Sequence, residues 1–198
     1  LFPYTTLFRS GGHNGRPLDG ATPTSYYLRK HIVEATSFVT GSEMSYQHIF
    51  PFFRYAEVLL NYAEALAAAT QNPDFTGMKG EVEYTLSPRE ALNAVRARYN
   101  MPGITETDYA AFVKRLRNER RVELAFEGHR FWDIRRWKIG AETTKVYGLT
   151  ITPQNDGSFS YMRSVIQQRG WEDRMNFYPI ADAELFKNHN LVQNDGWK

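Results

Sequence analysis

The stretch Arg120 to Trp137, RRVELAFEGHRFWDIRRW, constrains the fold more than any other part of the chain. It scans as a helix with Gly128 as its one weak point. At about 100° per residue from Tyr109, the apolar positions Tyr109, Phe112, Val113, Leu116, Leu124, Phe131 and Ile134 share one broad stripe. Arg120, Glu123 and Glu127 fall on the same stripe, while Val122, Ala125 and Phe126 project to the other side. A helix that is apolar on two faces with charges between them belongs inside a layered helical array.

An inward charge costs several kcal/mol unless it is paired. Arg120 to Glu123 and Glu123 to Glu127 have the i,i+3 and i,i+4 spacings of helical neighbours. Two carboxylates this close need a second cation, expected from another helix. A functional reading of the cluster is a general acid and base pair or a metal site. The structural reading, which we favour, is an ion network of Arg120, Glu123 and Glu127 that fixes helix register, because burial and like-charge crowding perturb structural sites as well as catalytic ones. Spacing also argues against a metal. Glu127 and His129 are two apart and point about 200° away from each other on a helix, whereas helical ligand pairs sit at i,i+3 or i,i+4. Asp133, at i+4 from His129, makes one such pair, which is a weak signal.

The 198 residues are 42% hydrophobic and 15% aromatic, enough for a core in one domain or part of a larger one. A net charge of +2, from 24 Lys plus Arg against 22 Asp plus Glu, gives no global field that selects nucleic acid. Locally, Phe112 to Lys138 holds nine Lys or Arg against four Asp or Glu, a net of +5. The chain has no cysteine and so neither a disulfide framework nor a thiol nucleophile. No apolar run approaches the ~20 residues of a membrane helix, and none of the given residues is expected to form a signal peptide. Residues 1–10, LFPYTTLFRS, lack an initiating Met and match what a widely used sequencing adapter gives when translated in frame. They are left out of fold reasoning as an expected assembly artefact, and the true protein is expected to begin upstream.

Gly11 to Thr24 reads as loop, and Tyr26 to Val33 as a short strand or extended segment, so residues 11–50 form a lead-in of loop and extended chain. Pro51 to Thr70, PFFRYAEVLLNYAEALAAAT, predicts a helix with Tyr55, Val58, Leu59, Tyr62 and Leu66 on its inner stripe. Gln71 to Leu86 reads as an insertion. Ser87-Pro88-Arg89-Glu90 supplies a capping box with Pro at the first helical position, Leu92, Val95 and Tyr99 give the next inner face, and Asn100, Pro102 and Gly103 end it. Thr105 or Thr107 is the expected cap of the central helix, which runs out by Gly140. Tyr55, Val58, Leu59 and Tyr62, with Ala91 and Val95, also resemble the two helices of a tetratricopeptide unit, although the insertion breaks that repeat's period. Residues 51–140 are thus the helical region. In 141–198, Lys145 to Thr152 and Phe159 to Ile166 alternate around the turn Asn155-Asp156-Gly157-Ser158, which predicts a hairpin. A Pro-broken extended piece, a short helix at Asp182 to Lys187 and an Asn-rich tail follow.

Four segments in order, PFFRYAEVLLNYAEAL, ALNAVRAR, NERRVELAFEGHRFWDIRRW and NFYPIADAELFKNHNLVQNDGW, resemble the C-terminal portion of the SusD/RagB family, with SYYLRKHI similar to that family's lead-in. The resemblance covers about residues 24–198. It implies a mainly α, SusD-like scaffold of tetratricopeptide-like helix pairs, with a small C-terminal hairpin and an extended tail. It also implies a non-enzymatic protein without cofactor, lipid-anchored on the outer face of a Gram-negative outer membrane. Such proteins capture glycans or other nutrients and sit as a lid on a SusC-like, TonB-dependent transporter. The lipidated Cys would belong to an upstream segment. Ala181 and Asp182 depart from the family's usual Pro-Ile-Pro and polar residue.

A glycan binder needs an aromatic face for the sugar's C–H surface and a few planar polar side chains for its hydroxyls. Outside the helical stripes, Tyr147, Phe159, Tyr161 and Trp171 are the candidates, although large aromatics more often bury themselves. The family's binding residues vary, and none carries over. Trp132 and Trp137 are expected in the core beside Phe131 and Ile134, and Arg115, Arg117, Arg121, Arg135 and Arg136 on a solvated, partly ion-paired surface. The favoured function is nutrient binding with a transporter partner and no nucleic acid. The alternatives are a helical-repeat interaction scaffold or nucleic-acid binder, suggested by the +5 segment, and a glycoside hydrolase using Glu123 and Glu127. Carboxylates one turn apart on one helix do not flank a bond in a cleft, as hydrolysis requires.

Overall fold

A helix led by Arg54 opens the ordered architecture of this protein, a computed structural model that describes residues 22–26, 28–33 and 35–197. Residues 1–10 and most of the 11–24 loop lie outside the described residues. The chain forms two compact units, one of 47–131 and one that joins the described residues up to Tyr46 with those from Trp132 onward. The unit boundaries fall at 46/47 and 131/132, beside expected boundaries of 50/51 and 140/141.

In the first unit, α1 (Tyr55–Thr70) and α2 (Pro88–Ala97) flank a short hairpin of β1 (Gly77–Lys79) and β2 (Val82–Tyr84). The Gln71 to Leu86 insertion is therefore partly β. Ser87 caps α2 as expected, its Oγ accepting from the Glu90 backbone while the Glu90 carboxylate accepts from the Ser87 backbone at 2.8 Å, with Pro88 at the first turn. The core gathers Leu60, Leu92, Phe112, Leu116 and Leu124 with Ala56, Ala63, Ala67 and Ala91. Burying each Leu or Phe contributes about 1.5–3 kcal/mol.

The inner face of α1 differs from the predicted stripe. Leu59 and Leu66 are buried and Tyr62 packs against the core, but Tyr55 and Val58 are exposed. Alanines occupy the seam instead, because small side chains let neighbouring helices approach closely. Tyr99 is also exposed and lies beyond the end of α2.

The central helix is two helices. Asp108, rather than Thr105 or Thr107, caps α3 (Tyr109–Glu123), its carboxylate accepting from the Ala111 backbone at 2.8 Å. After Glu123 the chain turns through Phe126 at φ 63° and Gly128 at φ 83° before α4 (His129–Arg136). These left-handed residues cannot continue an α-helix, and one of them is an aromatic for which that backbone is strained. Phe112, Leu116, Arg120 and Leu124 face inward as predicted, but Val122 and Phe126 stand in solvent.

In the second unit, β3 (Lys145–Pro153) and β4 (Phe159–Gln168) make the predicted antiparallel hairpin, with Ile151 opposite Tyr161 and one irregularity between Val146 and Tyr147. Its turn is held by Asp156, whose carboxylate accepts from the Ser158 hydroxyl at 2.6 Å and backbone at 2.9 Å, with Gly157 at φ 80°. Those two bonds hold the Asp156 carboxyl below the usual range. The described part of Tyr26 to Val33 forms no strand. Upstream of it, Thr24 supplies a carbonyl to the Leu149 N–H at 2.9 Å and lies over Gly148, where a Cβ would meet Thr24 Cα at 3.2 Å. The short α5 (Asp182–Lys187) matches its predicted bounds.

Candidate functional site

A polar seam runs from the start of α1 to the turn after α3, within the first unit. Arg54, Glu57 and Asn61 follow one another at i, i+3 and i+7, which is one helix face. Arg54 uses its whole guanidinium there. Its Nε and Nη2 donate to the two Glu127 carboxylate oxygens at 2.8 Å each, its Nη1 donates to Glu123 Oε1 at 2.7 Å, and its Nη2 also reaches the Glu123 carbonyl at 2.8 Å. One turn on, Glu57 lies 3.5 Å from His129 Nε2, and Asn61 accepts from the buried Arg120. The Arg54 pKa rises above its already high value because of the hydrogen bond to Glu127, against the opposing effect of burial.

Arg54 was missed in the sequence, although a signal was present. A cation at a helix N-terminus opposes the helix dipole, so it sits there for a partner outside that helix. The fork engages both carboxylates at once, Glu127 through both oxygens and Glu123 through Oε1. Among the described residues no group of three or more His, Cys, Asp or Glu could hold a metal. Asp133, paired with His129 by spacing, is buried and instead accepts from Arg136 Nε at 2.8 Å.

The second unit gathers its aromatics around arginines. Trp171 lies flat on Gly140, where a Cβ would come within 1.8 Å of the indole. The Arg135 guanidinium sits 5.5 Å from the Trp171 ring centre and 5.5 Å from that of Tyr178, and Tyr178 meets Trp132 edge to face at 6.4 Å. Trp132 is exposed, contrary to the expectation that it is core, and Trp137 is half-buried with Arg136 4.6 Å from its ring. Of the basic residues expected on a solvated face, Arg115 pairs with Glu106 at 2.6 Å and Arg136 with Asp133.

The four candidate platforms do not converge. Tyr147 carries the Arg163 guanidinium 3.9 Å over its ring, Phe159 is half-buried at the hairpin's closed end, and Trp171 is committed to Gly140 and Arg135. Tyr161, 56% exposed, presents the most open ring of the four.

The profile described as the SusD family matches residues 3–197. The chain belongs to the SusD family. It is 33% identical over 146 residues to SusD-like protein P2 of Formosa agariphila, covering 72% of this chain and 24% of that protein. A SusD-like protein of Bacteroides fragilis superposes with a TM-score of 0.68 at 31% identity, over 89% of this chain and 32% of the other. A SusD-like carbohydrate binding protein from the same organism gives 0.61 at 32% identity, over 87% and 34%. The chain thus spans about a quarter of the curated relative and about a third of the solved ones.

The SusD-like closing motif has a physical role that the sequence reading reduced to an Asn-rich tail. The Gln193 side-chain amide pairs with both backbone groups of Ile180, accepting at 2.7 Å and donating at 2.9 Å, and Asn194 donates to the Tyr178 carbonyl. Trp197 Nε1 reaches the carbonyls of Arg174 and Phe177 at 3.1 and 3.2 Å, with the Arg174 guanidinium 4.8 Å from its ring. Side-chain amides here do what a strand neighbour does in a sheet.

Proposed function

We propose that this chain is part of a cell-surface protein that binds glycans or other nutrients without turning them over and delivers them to a SusC-like, TonB-dependent transporter. It would be held on the external face of the outer membrane by a lipid anchor in an upstream segment. The observation that carries the reading is the family match across residues 3–197, supported by a relative described as carbohydrate binding. The engagement of Glu123 and Glu127 with one guanidinium favours a structural over a catalytic role for this pair. Any subsite on this chain is best placed at Tyr161, whose open ring can lie against a sugar's C–H face.

A glycan array with the protein, run alongside an assay for release of reducing ends, tests the reading. Binding without turnover is expected, and Tyr161→Ala should weaken it about tenfold if the hairpin carries a subsite. Hydrolysis of a bound glycan would overturn the non-catalytic reading. Nucleic-acid binding that falls steeply with salt would favour a basic interaction scaffold instead.

A further inference from the structure

The Arg163 guanidinium is held by a ring rather than by a carboxylate. Arg54, Arg89, Arg96, Arg115, Arg136 and Arg174 each meet an acidic side chain. Arg163, exposed on β4, meets none among the described residues and lies on the Tyr147 ring instead. Its own hairpin offers no acid to it. Residues 145–169 hold three Lys or Arg against one acidic residue, Asp156, a net of +2, and the Asp156 carboxylate is taken up by Ser158 at the turn. Stacking fixes the plane of a guanidinium, and its N–H edge can then form a two-pronged contact with an incoming anion.

The strand ladder decides what stands beside Arg163. Tyr147 pairs with Val165, Leu149 with Arg163 and Ile151 with Tyr161, and alternate residues of a strand share a face. Tyr147, Arg163 and Tyr161 therefore lie on one face, while the opposite face is backed by Thr24 at Gly148. Tyr161 and Arg163 are two residues apart, about 7 Å along the strand. One sugar residue can thus lie on the open Tyr161 ring and bring an acidic substituent to Arg163. Given the nutrient-binding function, on which this rests, we propose that the face is a subsite for an anionic saccharide unit bearing a carboxylate or a sulfate. Tyr161 is the platform, Arg163 reads the charge, and Tyr147 positions Arg163.

Two pairs of probes that differ in charge test it: oligogalacturonate against its methyl ester, and dextran sulfate against dextran. Calorimetric titration of the protein should show the charged member of at least one pair bound about tenfold more tightly, and the pair that does so tells carboxylate from sulfate. Arg163→Gln should abolish that preference with circular dichroism unchanged. Arg121→Gln, which takes the same charge from an exposed position on α3, should keep it. Tyr147→Leu should cut the preference about threefold, the worth of an exposed cation–ring contact, and Tyr147→Phe should restore it. Equal or no binding within both pairs, or a preference that survives Arg163→Gln, would overturn the proposal while leaving nutrient binding intact. Failure to bind any glycan of an array would instead overturn the nutrient-binding reading, and the subsite with it.

Discussion

The two units of the protein are held together by different means. The helical unit has a continuous apolar core, from Leu60 through Leu92 to Phe112, Leu116 and Leu124. In the unit that contains the hairpin, Ile151 is the one large apolar side chain that is buried among the described residues, and it keeps 7% exposure. Its order comes from a backbone ladder, arginines laid over aromatic rings, and a tail whose Gln193, Asn194 and Trp197 bond to backbone groups. An apolar core averages over many weak contacts and tolerates repacking. A unit built from oriented polar and cation–ring contacts depends on each geometry separately.

The sharpest test of this contrast is Arg54→Ala. It takes the Arg54 guanidinium away from Glu123 and Glu127, whose side chains are 9% and 4% exposed. A loss of about 4 kcal/mol is expected in urea unfolding, with about 3 for Glu123→Ala, which takes the acceptor from Arg54 Nη1 while Glu127 keeps its two bonds. A loss below about half a kcal/mol would show that the seam is solvated. In the other unit, Gly140→Ala drives a methyl into the Trp171 ring and should cost about 2 kcal/mol, the range for overpacking. Its readout is local: Trp fluorescence should shift while the helical signal holds, and a simultaneous loss of both would mean that the units do not differ as described. Smaller still is Ser87→Ala, expected at about 1 kcal/mol for a lost cap.

The cap also has a pH signature. Hydrogen bonds from the Ser87 backbone and hydroxyl lower the Glu90 pKa in the folded chain. A depressed carboxyl favours the folded state above the unfolded value of about 4.3, and that contribution fades as pH falls through the folded value. Below pH about 4.3 the stability gap between the parent and Ser87→Ala should therefore narrow. A gap that stays constant down to pH 2 would remove the carboxylate from the cap.

Elements whose cause is local were legible in the sequence. The capping box at Ser87, the hairpin around Asp156-Gly157 and the short helix at Asp182–Lys187 each depend on residues within a few positions of one another. The seam was half legible, since the spacing of Glu123 and Glu127 required a cation but could not say which of 24 Lys or Arg supplies it. The break after Glu123 was missed because Leu124, Ala125 and Phe126 continue a helical apolar pattern, and only Gly128 hinted at the left-handed turn. The face of α1 was misread because hydrophobic periodicity weights bulk, while close helix packing selects alanine. Among the candidate platforms, no local pattern could show that Arg163 covers Tyr147 or that Trp171 needs the bare Cα of Gly140.

The Arg54 fork also bears on time. It joins residues 69 and 73 positions apart, whereas the Ser87 cap spans three. Closing a long loop costs entropy before the contact repays it, so short-range elements of the unit assemble first and the fork closes late. A contact absent from the transition state changes the unfolding rate and leaves the folding rate nearly alone. Stopped-flow measurements on Arg54→Ala should accordingly show faster unfolding and an almost unchanged refolding arm. The fork is then a latch on the way out of the folded state, setting how long the helical unit persists once formed.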